Sequence, residues 1–73
     1  MTASDLRRVR RAALERARAE AAWKRALVLA RASGESYVDI AVEASVSDER
    51  VRQVVQDEAT KDPAVRALLD LSA

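Results

Sequence analysis

The stretch that decides the fold is residues 36–55, SYVDIAVEASVSDERVRQVV. It reads as two short helices joined by a tight turn. Ser36 and Asp39 make an S-x-x-D start, close to a capping box, which predicts a helix over about residues 37–44 with Val38, Ile40, Ala41 and Ala44 as its apolar candidates. Ser45-Val46-Ser47 interrupts it. Ser47 is a good N-cap for the next helix, and Asp48 and Glu49 suit that helix's positive end. Apolar residues then recur at Val51, Val54 and Val55, as an inward-facing side requires. Ala41 lies five residues before Val46, and Val46 five before Val51.

That spacing is what a helix-turn-helix needs. Two helices that meet steeply across a turn of a few residues need a small side chain at their closest approach and an apolar plug in the turn. Ala41 is the small residue, with Ile40 and Ala44 beside it on the core side. Val46 is the plug, and Val51 and Val54 face inward. The expected helix-turn-helix covers about residues 36–58. The outward side of its second helix carries Ser47, Asp48, Glu49, Arg52, Gln53 and Gln56. Arg can hold guanine with two hydrogen bonds, Gln can do so with adenine, and Glu can accept from cytosine. Glu49, Arg52, Gln53 and Gln56 are therefore the candidate base-contacting residues. Asp48 reads as a residue that serves the helix dipole alone.

The same stretch resembles the helix-turn-helix of bacterial sigma factors, in the domain that reads the upstream promoter element. Residues 46–54, VSDERVRQV, are the closest part, and the E-R-V-R-Q run at residues 49–53 is similar to the recognition helix of primary sigma factors. The likeness extends over roughly residues 23–60. It implies that Glu49, Arg52 and Gln53 face the major groove. Two positions depart from the family pattern. Ser45 stands where Gly is usual, and Asp48 stands where primary sigma factors carry a basic residue. The other sigma-factor domains have no counterpart here.

Working toward the N-terminus, Gly34 is the only glycine, and it lies where a helix end favours left-handed dihedrals. No breaker precedes it until Ser4, a candidate N-cap with Asp5 in the first turn. A long helix is expected over about residues 5–32. Leu6, Val9, Ala13 and Ala17 fall on one side of it, and Trp23, Ala26, Leu27 and Ala30 continue an apolar stripe. The first half of the stripe is thin, so the core is expected to begin near Trp23, with the earlier turns extending beyond it. Trp23 reads as a core anchor rather than a stacking platform, and Tyr37 as a cover for the start of the second helix. Toward the C-terminus, Asp62-Pro63 signals a restart. A short helix over about residues 63–70 presents Val65, Leu68 and Leu69.

The net charge of +1 conceals an asymmetry. Residues 1–31 hold nine basic residues against three acids, and residues 32–73 hold four against nine. Arg7, Arg8, Arg10, Arg11 and Arg18, with Ser47, are the candidate phosphate contacts. A second reading makes the arginine cluster a solvated helix face, partly paired as Arg11 with Glu15 and Arg16 with Glu20.

The chain has no Cys and no His, which removes disulfides, Cys and His nucleophiles and the usual zinc sites. There is no glycine-rich phosphate loop and no catalytic set. The sequence thus predicts an all-α, single-domain protein that is not an enzyme and takes no cofactor or metal. No apolar run is long enough to span a membrane, no secretory leader is apparent, and a cytoplasmic location is expected. The expected partner is double-stranded DNA, bound by a small transcriptional regulator acting as a homodimer. The apolar fourth helix is one candidate dimer surface, the long first helix another. A rival assignment folds the fourth helix back onto Trp23 and Leu27. The alternative function is an interaction module whose acidic C-terminal half docks on RNA polymerase or a sigma factor.

Overall fold

Thr2 and Asp5 start the first helix. In the computed structural model, which describes residues 2–71, the Thr2 hydroxyl oxygen accepts the Asp5 N–H at 3.2 Å, and the Asp5 carboxylate accepts the Thr2 N–H at 3.3 Å. This reciprocal box makes Thr2 the N-cap, not Ser4, which falls inside the first turn. Helix α1 therefore runs Ala3–Ala32. It ends in a Schellman motif: the Glu35 N–H donates to the Ala30 carbonyl at 3.2 Å and the Gly34 N–H to the Arg31 carbonyl at 3.0 Å. Gly34 supplies the required left-handed backbone at φ +102°, and a Cβ there would meet no atom within 4 Å.

Helix α2, Tyr37–Ala44, is capped by Ser36, whose Oγ accepts the Asp39 N–H at 3.1 Å. The return bond from the Asp39 carboxylate is not made, so only half of the capping box forms. Helix α3, Asp48–Lys61, is capped in the same way by Ser47. It stops at Asp62, which is held extended at φ −131° and ψ 110° because it precedes Pro63. The Asp62 carboxylate then accepts the Ala64 N–H at 2.9 Å as helix α4, Pro63–Leu71, begins. The described residues form these four helices and no strand.

Only three residues, Ser45-Val46-Ser47, connect α2 to α3. Ser45 adopts the left-handed conformation at φ 57° and ψ 39°. The Val46 N–H donates to the Ala41 carbonyl at 3.1 Å, and the Ser45 N–H to the Val42 carbonyl at 3.3 Å. This is the hydrogen-bond pattern of Gly34 again, but without a glycine. A non-glycine residue there costs about 1–2 kcal/mol. Ser45→Gly relieves that cost and loses part of the gain to unfolded-chain entropy. The variant is expected to be more stable by roughly 0.5–1 kcal/mol, raising the melting temperature by a few degrees in a chain of this size. A thermal melt that fell instead would show that the Ser45 side chain stabilises the turn.

The core is small and aliphatic. Leu27 and Val28 of α1, Ile40 and Ala41 of α2, and Val51, Val54 and Val55 of α3 form one buried cluster, with Trp23, Tyr37, Ala44 and Val46 partly buried against it. Val38 does not join it. At 59% exposed it faces solvent, because the α2 residues that turn inward are Ile40 and Ala41. Val65 and Leu69 of α4 also pack on the cluster, so α4 folds back onto its own chain. This corrects the expectation of a free apolar strip there: Leu71, 85% exposed, and part of Leu68 are what remain outward.

Every residue of α1 before Trp23 is exposed, including Leu6 and Val9. Burial on α1 begins at Trp23, and most of the preceding 20 residues project from the body of the molecule, which measures 52 × 27 × 16 Å with the projecting helix included.

Candidate nucleic-acid interface

The buried side of α3 fixes what its other side presents. Val51, Val54, Val55 and Ala59 turn into the core. At about 100° per residue, this leaves Glu49, Gln53 and Gln56 on the opposite side, with Arg52 at its edge. All four are exposed. Gln53 and Gln56 make no side-chain hydrogen bond within the chain among the described residues, so their amides are free to hydrogen-bond elsewhere.

Arg52 is held differently. Its guanidinium lies 3.6 Å from the Glu49 carboxylate, and its Cζ is 5.2 Å from the centroid of the Tyr37 ring. The Arg31 guanidinium sits 4.3 Å from the same ring centroid and donates to the Glu35 carbonyl at 3.0 Å. Tyr37 thus joins the end of α1 to the start of α3 through two cation–π contacts. Sequence reading missed this role. Tyr37 and Arg52 lie far apart along the chain, and no local pattern signals their meeting.

Ser47 is exposed at the α3 N-terminus. Its Oγ accepts the Arg50 N–H at 3.1 Å, which leaves the hydroxyl proton available to an outside acceptor. Asp48 and Glu49 already supply negative charge at this helix end. A phosphate there would meet two carboxylates.

The arginines are on another element. Arg7, Arg8, Arg10, Arg11 and Arg18 all lie on the projecting part of α1 and are exposed. None has an ion-pair partner among the described residues. The helical-spacing pairs Arg11–Glu15 and Arg16–Glu20 do not form. Glu20 instead lies 3.9 Å from Lys24, whose ammonium also reaches Glu58 of α3 at 4.0 Å. That ion pair marks where α1 leaves the body of the molecule. Arg18 lies about 9 Å beyond Lys24 along the helix axis and Arg7 about 25 Å beyond. The structure therefore gathers the candidate base contacts on α3, with Ser47 at its start, and leaves the arginines among the candidate phosphate contacts on α1 as a separate group.

No group of acidic residues suited to a metal ion occurs among the described residues, and no helix there is long and apolar enough to cross a membrane. No protein-family model matches the chain, and no curated protein or solved structure gives a significant match.

Proposed function

We propose that α2 and α3 form a helix-turn-helix that reads duplex DNA, with α3 in the major groove. Gln53, Gln56, Arg52 and Glu49 face base edges, and the arginines of α1 hold phosphates at a distance from them. The observation that carries this reading is the row of arginines on α1, exposed and without ion-pair partners. Six of them, Arg16 included, stand on the projecting helix against Asp5, Glu15 and Glu20. Such a surface attracts a polyanion through counterion release. The left-handed turn at Ser45 and the partly buried Val46 support the helix-turn-helix part, since they give α2 and α3 a three-residue connection.

One observation favours a second reading. The outward α3 side carries Arg52 and Arg50 only at its two edges, and Glu49 lies beside Arg52. On that reading the acidic half of the chain docks on a basic protein surface, such as that of RNA polymerase or a sigma factor.

Selection from a random duplex pool, followed by titration at two salt concentrations, separates the two. A DNA reader yields an enriched site and loses affinity steeply as salt rises, by close to one power of salt per phosphate contact. Arg52→Ala and Gln53→Ala are each expected to lose about 1–3 kcal/mol on the enriched site and to change little on random duplex. No enrichment, together with salt-independent affinity, would overturn the proposal and leave the protein-docking reading.

A further inference from the structure

The projecting part of α1 has an apolar side with nothing on it. Leu6 is 53% exposed and Val9 61%. Together with Ala13 they begin a seam at heptad spacing: residues 6, 13, 20 and 27 alternate with 9, 16, 23 and 30. From Trp23 onward, α2 to α4 of the same chain cover most of this seam. A groove of about 630 Å³ remains open between α1 and α2. Trp23, Ala26 and Ala30 line it on one side and Val42, 72% exposed, on the other. Glu35, Asp39 and Glu43 rim it, and none of these carboxylates has an ion-pair partner among the described residues.

We propose that the chain forms a two-fold dimer in which the projecting half of each α1 lies antiparallel in the α1–α2 groove of a second copy. Charge selects this occupant. Arg10 lies beside the seam and comes toward the three unpaired acids at the groove rim, whereas two projecting helices laid on each other would bring two basic helices together. Spacing gives the register. A two-fold axis near residue 18 brings Leu6 opposite Ala30 of the second copy and Ala13 opposite Trp23, with Val9 at the level of Leu27, which is already buried in its own core. Large thereby meets small at both ends of the contact. Arg16 and Glu20, the polar members of the seam, meet Glu20 and Arg16 of the other chain. Because the contact is reciprocal, each copy contributes one helix and one groove, which brings the buried area toward the roughly 1,200 Å² that specific interfaces need. It also gives the projecting helix the packing that a segment of this length needs to stay helical in water.

Arg7, Arg11 and Arg18 lie on the far side of α1 from the seam and stay in solvent when it is covered. The dimer therefore does not rest on DNA reading, and its test needs no DNA.

Sedimentation equilibrium of the full chain from micromolar to millimolar concentration is expected to show a species of twice the 8.0 kDa chain mass. Leu6→Asp with Val9→Asp on the helix, and separately Asp39→Arg with Val42→Arg in the groove, are each expected to weaken it by about tenfold or more. All four residues are exposed in the single chain, so the melt followed by Trp23 fluorescence should persist in the monomers. Arg16→Glu should weaken the dimer by setting carboxylates against Glu20 of the second copy, and adding Glu20→Arg should restore it. A single 8.0 kDa species throughout overturns the proposal. So does a dimer that resists the helix variant. A dimer abolished by the helix variant yet indifferent to the groove variant also overturns it, since the helices would then pair with each other.

Discussion

Ala41→Glu is expected to unfold the chain, or leave it folded only in part, at room temperature. Ala41 is buried among Ile40, Val51 and Val54, and its carbonyl accepts the Val46 N–H that closes the turn. A glutamate there must either push α2 away from its neighbours or bury a carboxylate with no partner. Overpacking costs about 1–3 kcal/mol. An unpaired buried polar group costs roughly a further 2 kcal/mol or more, and a charge costs more again. A domain of this size has roughly 4–11 kcal/mol in all. Circular dichroism should show the cooperative melt abolished and the total helical signal reduced. A melting temperature within a few degrees of the unsubstituted protein would mean that α2 meets the core by another side, and would remove the basis for reading α2 and α3 as a helix-turn-helix.

Features that depend on neighbours three or four residues away were legible in the sequence. Ser36, Ser47, Asp62 and Gly34 each act through a backbone group within a few residues, so their identity alone indicated a helix end. Thr2 escaped notice because Ser4 is an equally good capping residue. The T-x-x-D pattern at Thr2 and Asp5 decides between them, since only Thr2 has an acid at the position that completes a reciprocal box. The thin stripe of Leu6, Val9 and Ala13 indicated that the start of α1 projects, because alanine buries too little area to hold a helix on a core.

What was not legible depends on tertiary placement. Val38 and Ile40 are equally apolar, and in an eight-residue helix nothing local says which of them faces in. Val65 and Leu69 had the composition of an association surface, but α4 turns them onto its own chain, and no pattern within residues 63–71 records that turn. The same holds for Tyr37, whose ring meets Arg31 and Arg52 because α1 ends and α3 begins beside it. The base-reading candidates fall between these cases. That Glu49, Gln53 and Gln56 face outward follows from the position of Val51, Val54 and Val55 on the same helix. That Arg52 is drawn toward Tyr37 does not.

Replacing Arg7, Arg8, Arg11 and Arg18 together with alanine is expected to weaken binding to duplex DNA of any sequence by on the order of a hundredfold to a thousandfold at moderate salt. These four lie away from the apolar seam of α1, are exposed, and have no ion-pair partner within the chain among the described residues. Their removal therefore breaks nothing in the fold, and alanine preserves helix propensity. Each charge-assisted hydrogen bond to a phosphate is worth about 1 kcal/mol or more. The slope of log affinity against log salt should become shallower by close to one for each phosphate that is no longer neutralised. Random and selected duplexes should be affected alike, because phosphates carry no sequence information. The helical signal and the sedimentation behaviour should stay unchanged, which separates loss of charge from loss of structure or assembly. Unchanged affinity and slope would assign these arginines to solvent. DNA reading would then have to rest on α3 alone, a helix with four acids and three basic residues over Asp48–Lys61. Such a helix has too little positive charge to hold a duplex, and the acidic half of the chain would become the better candidate for the partner-binding surface.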